Sequence, residues 1–207
     1  MRAWLKLAEG KSQSALAMLE VPKQAEWAQY YLRYHKALIA DIAGDRKEAR
    51  RAYERVFKQD SRTLRTTLAY ARHAAHSGDV KLAQSILKEN LDKSQGAGHA
   101  LVRALARELE SGEGNVGLLI ATPAQGMAEV FYGLGEALTG EGGVSIGVPY
   151  LQMALYLEQR QPFALAALAN AHETTKRYAE AIEVYDQIPK ATPLATAIEI
   201  RKAFNLN

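Results

Sequence analysis

The chain contains no cysteine among its 207 residues. Disulfide bonds, thiolate metal sites and cysteine nucleophiles are therefore excluded. Proline is scarce as well, at six residues, and no apolar run approaches the roughly 18 residues of a membrane span. Residues 1–13 lack the apolar core of a secretory signal. These absences leave the cytoplasm and the cell envelope or periplasm as alternative locations.

The residues that are abundant favour helices. Hydrophobic residues make up 48% of the chain and charged residues 24%, which is typical of a globular protein. Ala, Leu, Glu, Lys and Arg dominate, and alternating β-branched runs do not occur. The formal charge of +3 is mildly basic, so a nucleic-acid partner would require that charge to be concentrated on one face.

Glycine recurs at a fixed interval of 34 residues, at Gly10, Gly44, Gly78 and Gly112. Small residues keep the same interval at 15, 49 and 83, and large apolar or aromatic residues keep it at 19, 53 and 87. Between the glycines, apolar residues recur with helical spacing. Each unit is therefore predicted to be a helix, a turn and a second helix. Such a hairpin cannot bury its apolar stripe alone, so neighbouring units are expected to stack.

The interval is interrupted once. Ala83 and Ala181 occupy equivalent positions but lie 98 residues apart, four fewer than three periods. The shortfall falls between Gly112 and about Met127, a stretch rich in glycine and proline. It predicts either a truncated second helix followed by an extended connection, or a simple loop deletion.

Residues 164–193, "ALAALANAHETTKRYAEAIEVYDQIPKATP", carry a family resemblance. They resemble the tetratricopeptide repeat, a 34-residue helical hairpin, and "FYGLGEALTGEGG" resembles it nearly as well. The matching positions in the first stretch are Leu168, Ala169, Ala181, Tyr185 and Pro193. The resemblance covers almost the whole chain, is weakest at 113–127, and extends to long bacterial multi-repeat proteins, many of them associated with the envelope.

The resemblance implies an all-α, right-handed α-solenoid of stacked antiparallel helix pairs with one irregular repeat near 98–127. We expect a single solenoid over 1–207: a partial unit 1–27, units at about 28–61 and 62–97, the irregular 98–127, units 128–161 and 162–195, and a lone first helix 196–207. Because "PLATAIEIRKAFNLN" is apolar where arrays usually end in polar caps, we interpret the chain as a fragment of a longer protein. Its terminal helices are candidates for self-association.

The resemblance also implies a function. In this family the concave groove, lined by first helices, holds a peptide of a partner protein, which predicts a protein-interaction scaffold. Aromatic and arginine side chains supply much of the energy in such interfaces. The groove positions that carry over are Tyr31, Tyr34, His35, Arg65, Arg72, His76, Glu129, Tyr132, Glu136, Phe163, Asn170 and Glu173. Asp41 and Leu68 belong to the same surface.

Other kinds of site are less well supported. A carboxylate clamp would need lysines where Ala166 and Tyr132 stand. His73 and His76 are spaced to share a metal ion but have no evident third ligand. The glycines of "GEGNVG" and "GEGG" follow no strand and lack the Lys-Ser/Thr pair of a phosphate loop. We therefore predict no enzyme, no cofactor and no metal.

Two further functions stay as alternatives. An RNA-binding helical-repeat protein would use the arginine-rich helix 46–58, but acidic residues in the predicted groove disfavour phosphate. A solvated, ion-paired outer face is the other interpretation of that helix. The second alternative is that the chain is a non-catalytic repeat region of a larger enzyme or envelope complex.

Overall fold

The computed structural model describes residues 1–21, 24–94, 98–112 and 115–206. Two residues of "GEGNVG", Glu113 and Gly114, and Asn207 at the end of the predicted lone helix lie outside them. The chain divides into two compact units, Met1–Gly126 and Met127–Asn207. The described residues form helices joined by turns and irregular segments, and none of them is in a strand.

The first unit is a stack of helical hairpins. Helix α1 pairs with α2, α3 with α4, and α5 with α6, while α7 packs against both α5 and α6. The helices span α1 Arg2–Ala8, α2 Ser12–Ala17, α3 Glu26–Ile42, α4 Arg46–Gln59, α5 Leu64–His76, α6 Val80–Lys93 and α7 Ala100–Ser111.

The 34-residue glycine interval has a local cause in the turn of each hairpin. Gly44 and Gly78 end a first helix with φ of 77° and 89°, a left-handed conformation that glycine adopts without a steric cost. The aspartate that follows each one caps the next helix. Asp45 accepts from the Glu48 amide and Asp79 from the Leu82 amide, both at 3.1 Å. A Gly-Asp pair therefore both ends one helix and starts the next.

The second unit contains the greater part of α8 Pro123–Gly140, followed by α9 Val144–Leu157, α10 Pro162–Thr174, α11 Tyr178–Tyr185 and α12 Ala195–Asn205. Its core includes Tyr132, Leu151, Leu165 and Tyr185. Helices α9 and α10 pack together, as do α10 with α11 and α11 with α12.

The irregular repeat lies where the interval is interrupted. Helix α7 is a first helix without a following second helix, because residues 115–122 are not helical and α8 begins only at Pro123. The predicted fold class, all-α with stacked antiparallel helix pairs and one irregular repeat near 98–127, is confirmed. The truncated second helix expected within that repeat is not present in 115–122, which instead form a connection without regular secondary structure.

Candidate partner-binding surface

The twelve predicted groove residues fall into two sets. Six belong to the first unit and six to the second. Those of the first unit are Tyr31, Tyr34, His35, Arg65, Arg72 and His76. Those of the second are Glu129, Tyr132, Glu136, Phe163, Asn170 and Glu173. The two sets are therefore described separately.

In the first unit, three of these residues form an aromatic cluster around His35. The His35 ring lies 4.5 Å from that of Tyr31 and 5.4 Å from that of Tyr34, measured between centroids. Trp4 of α1 completes the cluster, since its indole Nε1 donates to His35 Nδ1 at 3.2 Å. Trp4, Tyr34 and His35 are all buried. This cluster joins the first helices of two successive hairpins.

Arg72 lies on the next first helix, α5, and contacts a non-helical part of the chain. Its guanidinium Nη1 donates to the carbonyl oxygen of Gly117 at 3.1 Å. Leu68, one turn earlier on the same face, is buried, Arg65 is half-buried, and His76 is exposed at the end of the helix. A predicted groove residue thus already binds a peptide carbonyl.

Residues 115–122, which we call the resident segment, contact α5 through the bond between Arg72 and the Gly117 carbonyl. Val116 and Ile120 are only 6% and 5% exposed and Leu118 and Leu119 are half-buried, whereas Asn115, Gly117 and Ala121 are exposed. The segment therefore buries apolar side chains while other residues along it face solvent.

The resident segment ends in a capped helix start. The Thr122 hydroxyl accepts from the Gln125 amide at 3.2 Å, and Gln125 Oε1 accepts from the Ala121 amide at 2.9 Å. This reciprocal pattern is similar to a capping box. It fixes the first turn of α8, where Gly126 lies against the Trp4 ring so closely that a Cβ atom would be 2.2–2.4 Å from three ring carbons.

These contacts define the path of the chain. The segment touches α5 at Gly117 and the chain reaches α1 at Gly126, and α3 lies between these helices in the order of the stack. Residues 117–126 therefore run from α5 to α1. We call the surface formed by Trp4, Tyr34, His35, Leu68 and Arg72 the first-helix face.

A buried polar network lies beside this face. Asp41 of α3 bonds His73 Nδ1 at 2.5 Å and accepts from the Tyr53 hydroxyl at 2.9 Å. Tyr70 stacks on Tyr53, and burial, with Glu54 as the next cause, raises the pKa of Tyr70 to about 12. His73 is thus bonded to a carboxylate inside the hairpin stack, whereas His76 is exposed. No group of three or more His, Asp or Glu side chains is placed to hold a metal ion in the described ranges.

The predicted groove residues of the second unit pack against their own neighbours. Tyr132 is a core residue whose ring lies 6.0 Å from that of Phe163, and Glu129 is buried and accepts from Gln161 Nε2 at 3.3 Å. Glu136 is exposed.

Helix α12 contacts the last two predicted positions of the second unit. Arg201 donates to Asn170 Oδ1 at 2.8 Å and also to Glu173, which accepts from Asn205 at 2.7 Å through its other oxygen. These bonds join α10 to the following first helix.

The arginine-rich helix α4 forms ion pairs on its outer side. Arg50 bonds both Glu54 and Asp79, and Arg51 lies 3.5 Å from Glu48. Exposed pairs of this kind contribute little to stability, but they offset part of the positive charge that a phosphate backbone would need.

Sequence reasoning missed Trp4, Val116, Ile120 and Gly126. Residues 1–9 were assigned to a partial unit, and 115–122 form an uncharged run without a helical or repeat pattern. The available signal was that run itself, because a short continuous apolar stretch at 118–121 is typical of a buried segment.

Comparisons with known proteins give only distant likenesses to solved structures. The chain is similar to the solved structure MamA MSR-1 C2, with 16% identity and a TM-score of 0.35 over 97% of this chain and 94% of that chain. It is similar to MamA 41-end from Desulfovibrio magneticus RS-1, with 18% identity and a TM-score of 0.36 over 96% and 91%. No protein-family model and no curated protein matches the sequence. Among the described helices, none is long and apolar enough to cross a membrane.

Proposed function

We propose that this protein is a non-enzymatic interaction scaffold of the tetratricopeptide type, which binds an extended segment of a partner protein on the first-helix face. The observation that supports this function is the resident segment. Val116 and Ile120 are buried there, and Arg72 donates to the Gly117 carbonyl. Bonds to the main chain and pockets for alternate side chains are the usual means of binding extended peptides.

The composition of the face also favours a protein partner. Trp4, Tyr34 and Arg72 are of the types that dominate protein interfaces. Arg72 bonds a carbonyl, a group that every peptide carries, so the contact does not depend on the partner's side chains. An RNA partner finds less support, since two arginines of α4 are paired with carboxylates.

A random peptide library displayed on phage tests this function. We expect sequences selected on the wild-type protein to bind Arg72→Gln at least about tenfold more weakly, because a hydrogen bond from a charged donor is lost. The matched control is Arg51→Gln on the outer side of α4, where the side chain is 65% exposed, and it should bind normally.

Three results would contradict the proposal. One is equal binding of the selected peptides to wild type and Arg72→Gln. Another is a loss of binding confined to Arg51→Gln. The third is that the protein binds RNA, with an affinity that falls steeply as salt rises, and selects no peptide.

A further inference from the structure

The resident segment differs in chemistry from the rest of the first unit. Residues 115–122, Asn-Val-Gly-Leu-Leu-Ile-Ala-Thr, carry no charge, whereas α4 and α6 on the same unit are rich in Lys, Arg and Glu. The segment joins α7 to α8, so it is covalently held beside the face that it contacts.

Its backbone is weakly bonded. Between described residues, no backbone–backbone hydrogen bond involves 115–121. Among the described residues, the polar contact to α5 is the bond from Arg72 to Gly117, and the apolar attachment is the burial of Val116 and Ile120, with Leu118 and Leu119 half-buried. Segments with exposed backbone and few buried contacts open at a lower free energy than packed helices. Like a bound peptide, the resident segment is therefore attached by buried apolar side chains and a side-chain bond to its main chain, and its residues 115–121 have no backbone–backbone hydrogen bond to other described residues.

We propose that the resident segment is an internal ligand of the first-helix face, and that the external partner displaces it with a segment of the same class. That class is an uncharged, non-helical sequence with apolar side chains on both sides of a small residue, as in Val116-Gly117-Leu118. This inference rests on the proposed function and adds to it the chemistry of the partner and its competitor.

Two features of the bound segment determine that class. Val116 and Ile120 are its most buried side chains, at 6% and 5% exposed. The Arg72 guanidinium approaches the chain at Gly117, where no side chain obstructs the carbonyl. A charged residue at an inward position would be buried without a partner, which disfavours acidic or basic partner segments.

Because the resident segment is covalently attached beside the face, a partner must compete with its high local concentration. A ligand on a short linker has an effective concentration in the millimolar range. An external peptide with only the same contacts therefore binds the wild-type protein weakly, in proportion to the fraction of molecules whose face is open. Weakening the tethered copy increases that fraction.

The experiment uses the full chain 1–207 and a fluorescent peptide with the sequence of residues 115–122, with binding followed by anisotropy. The release variant is Val116→Ser with Ile120→Ser, which replaces both buried apolar side chains and adds no charge. The matched control is Asn115→Ser with Ala121→Ser, at two exposed positions of the segment. We expect the release variant to bind the peptide at least about tenfold tighter than wild type or control, and addition of Arg72→Gln to reverse most of that gain.

Circular dichroism first establishes that each variant is folded. Ile120→Val provides a milder change if the double variant is not, and should increase peptide affinity by about two- to tenfold. Equal peptide binding by wild type and the folded release variants would overturn the internal-ligand inference but leave the proposed function intact. Absence of binding by every folded variant would also overturn the inference, whereas the proposed function is decided by the library selected on the wild-type protein.

Discussion

His73 Nδ1 lies 2.5 Å from Oδ1 of Asp41, and the two side chains are only 2% and 6% exposed. The second oxygen of Asp41 accepts from the Tyr53 hydroxyl. These side chains come from α5, α3 and α4, so one carboxylate joins two successive hairpins. Buried charges are tolerated only when they are paired and hydrogen-bonded, and here each carboxylate oxygen has a partner.

Asp41→Ala should therefore destabilise the first unit strongly. The substitution leaves the Tyr53 hydroxyl and His73 without their acceptor, at an expected cost of about 2–5 kcal/mol in the free energy of unfolding. Urea denaturation followed by circular dichroism measures this cost. The control is Asp92→Ala on α6, where the side chain is 60% exposed, with an expected cost below about 1 kcal/mol. Similar costs for the two variants would contradict the structural role of the network.

The start of α7 should make stability dependent on pH through His99. Its Nδ1 accepts from the Leu101 amide at 3.2 Å and caps the helix. Burial, followed by Arg103, lowers the pKa of His99. Because the neutral form is favoured in the folded state, its contribution to stability is present above the unfolded-state pKa, about 6.5. That contribution is lost as the pH falls from there through the folded-state pKa.

His99→Asn keeps a capping side chain but removes this titration. We expect the free energy of unfolding to fall less between pH 7.5 and 5 in the variant than in the wild type. His172, whose pKa is also lowered by burial and then by Arg177, remains in both proteins, so the difference between their pH profiles isolates His99. Parallel profiles would show that His99 does not titrate in this range.

Close approach of α8 and α9 should make Gly147 intolerant of a side chain. A Cβ atom there would lie 2.5 Å from Thr139 Cγ2, 2.8 Å from the Gly135 carbonyl oxygen and 2.9 Å from the Thr139 amide. Two of these atoms belong to backbone and cannot rotate away. We expect Gly147→Ala to cost about 1–3 kcal/mol in urea denaturation. Gly140→Ala, with no atom within 4 Å, is the control, and a cost no greater than that of the control would contradict the close packing.

The hairpins could be predicted from the sequence because their signals are local. Gly44-Asp45 and Gly78-Asp79 end one helix and cap the next within two residues, so the stacked hairpins and the position of the irregular repeat follow from spacing. The first-helix positions Tyr34 and Arg72 were selected by the same register, and their contact with a partner stays a prediction.

The path of residues 115–126 could not be predicted in this way. It depends on contacts between residues distant in sequence, Arg72 with Gly117 and Trp4 with Gly126. No repeat pattern constrains a segment that lacks regular structure. The missing second helix indicated an irregularity at this place but not which surface the chain would cross.

The contact between Trp4 and Gly126 can be tested with Trp4 as a reporter. The chain has two tryptophans, and the other, Trp27, is 73% exposed. A Trp27→Phe background therefore isolates the emission of the buried Trp4 indole. Gly126→Ala would place a Cβ atom 2.2–2.4 Å from the indole ring, so the ring must move and its bond to His35 must lengthen or break. We expect a red-shifted emission maximum and stronger acrylamide quenching than in the Trp27→Phe parent.

A matched variant separates this effect from a general response to added volume. Gly117→Ala adds the same methyl group to the resident segment, at a position with no atom within 4 Å, and keeps the carbonyl that Arg72 binds. Its emission should equal that of the parent. If Gly126→Ala also left emission and quenching unchanged, the indole would not lie on Gly126, and the chain would not reach α1 after crossing from α5. A shift confined to Gly126→Ala would instead support the path on which the internal-ligand proposal depends.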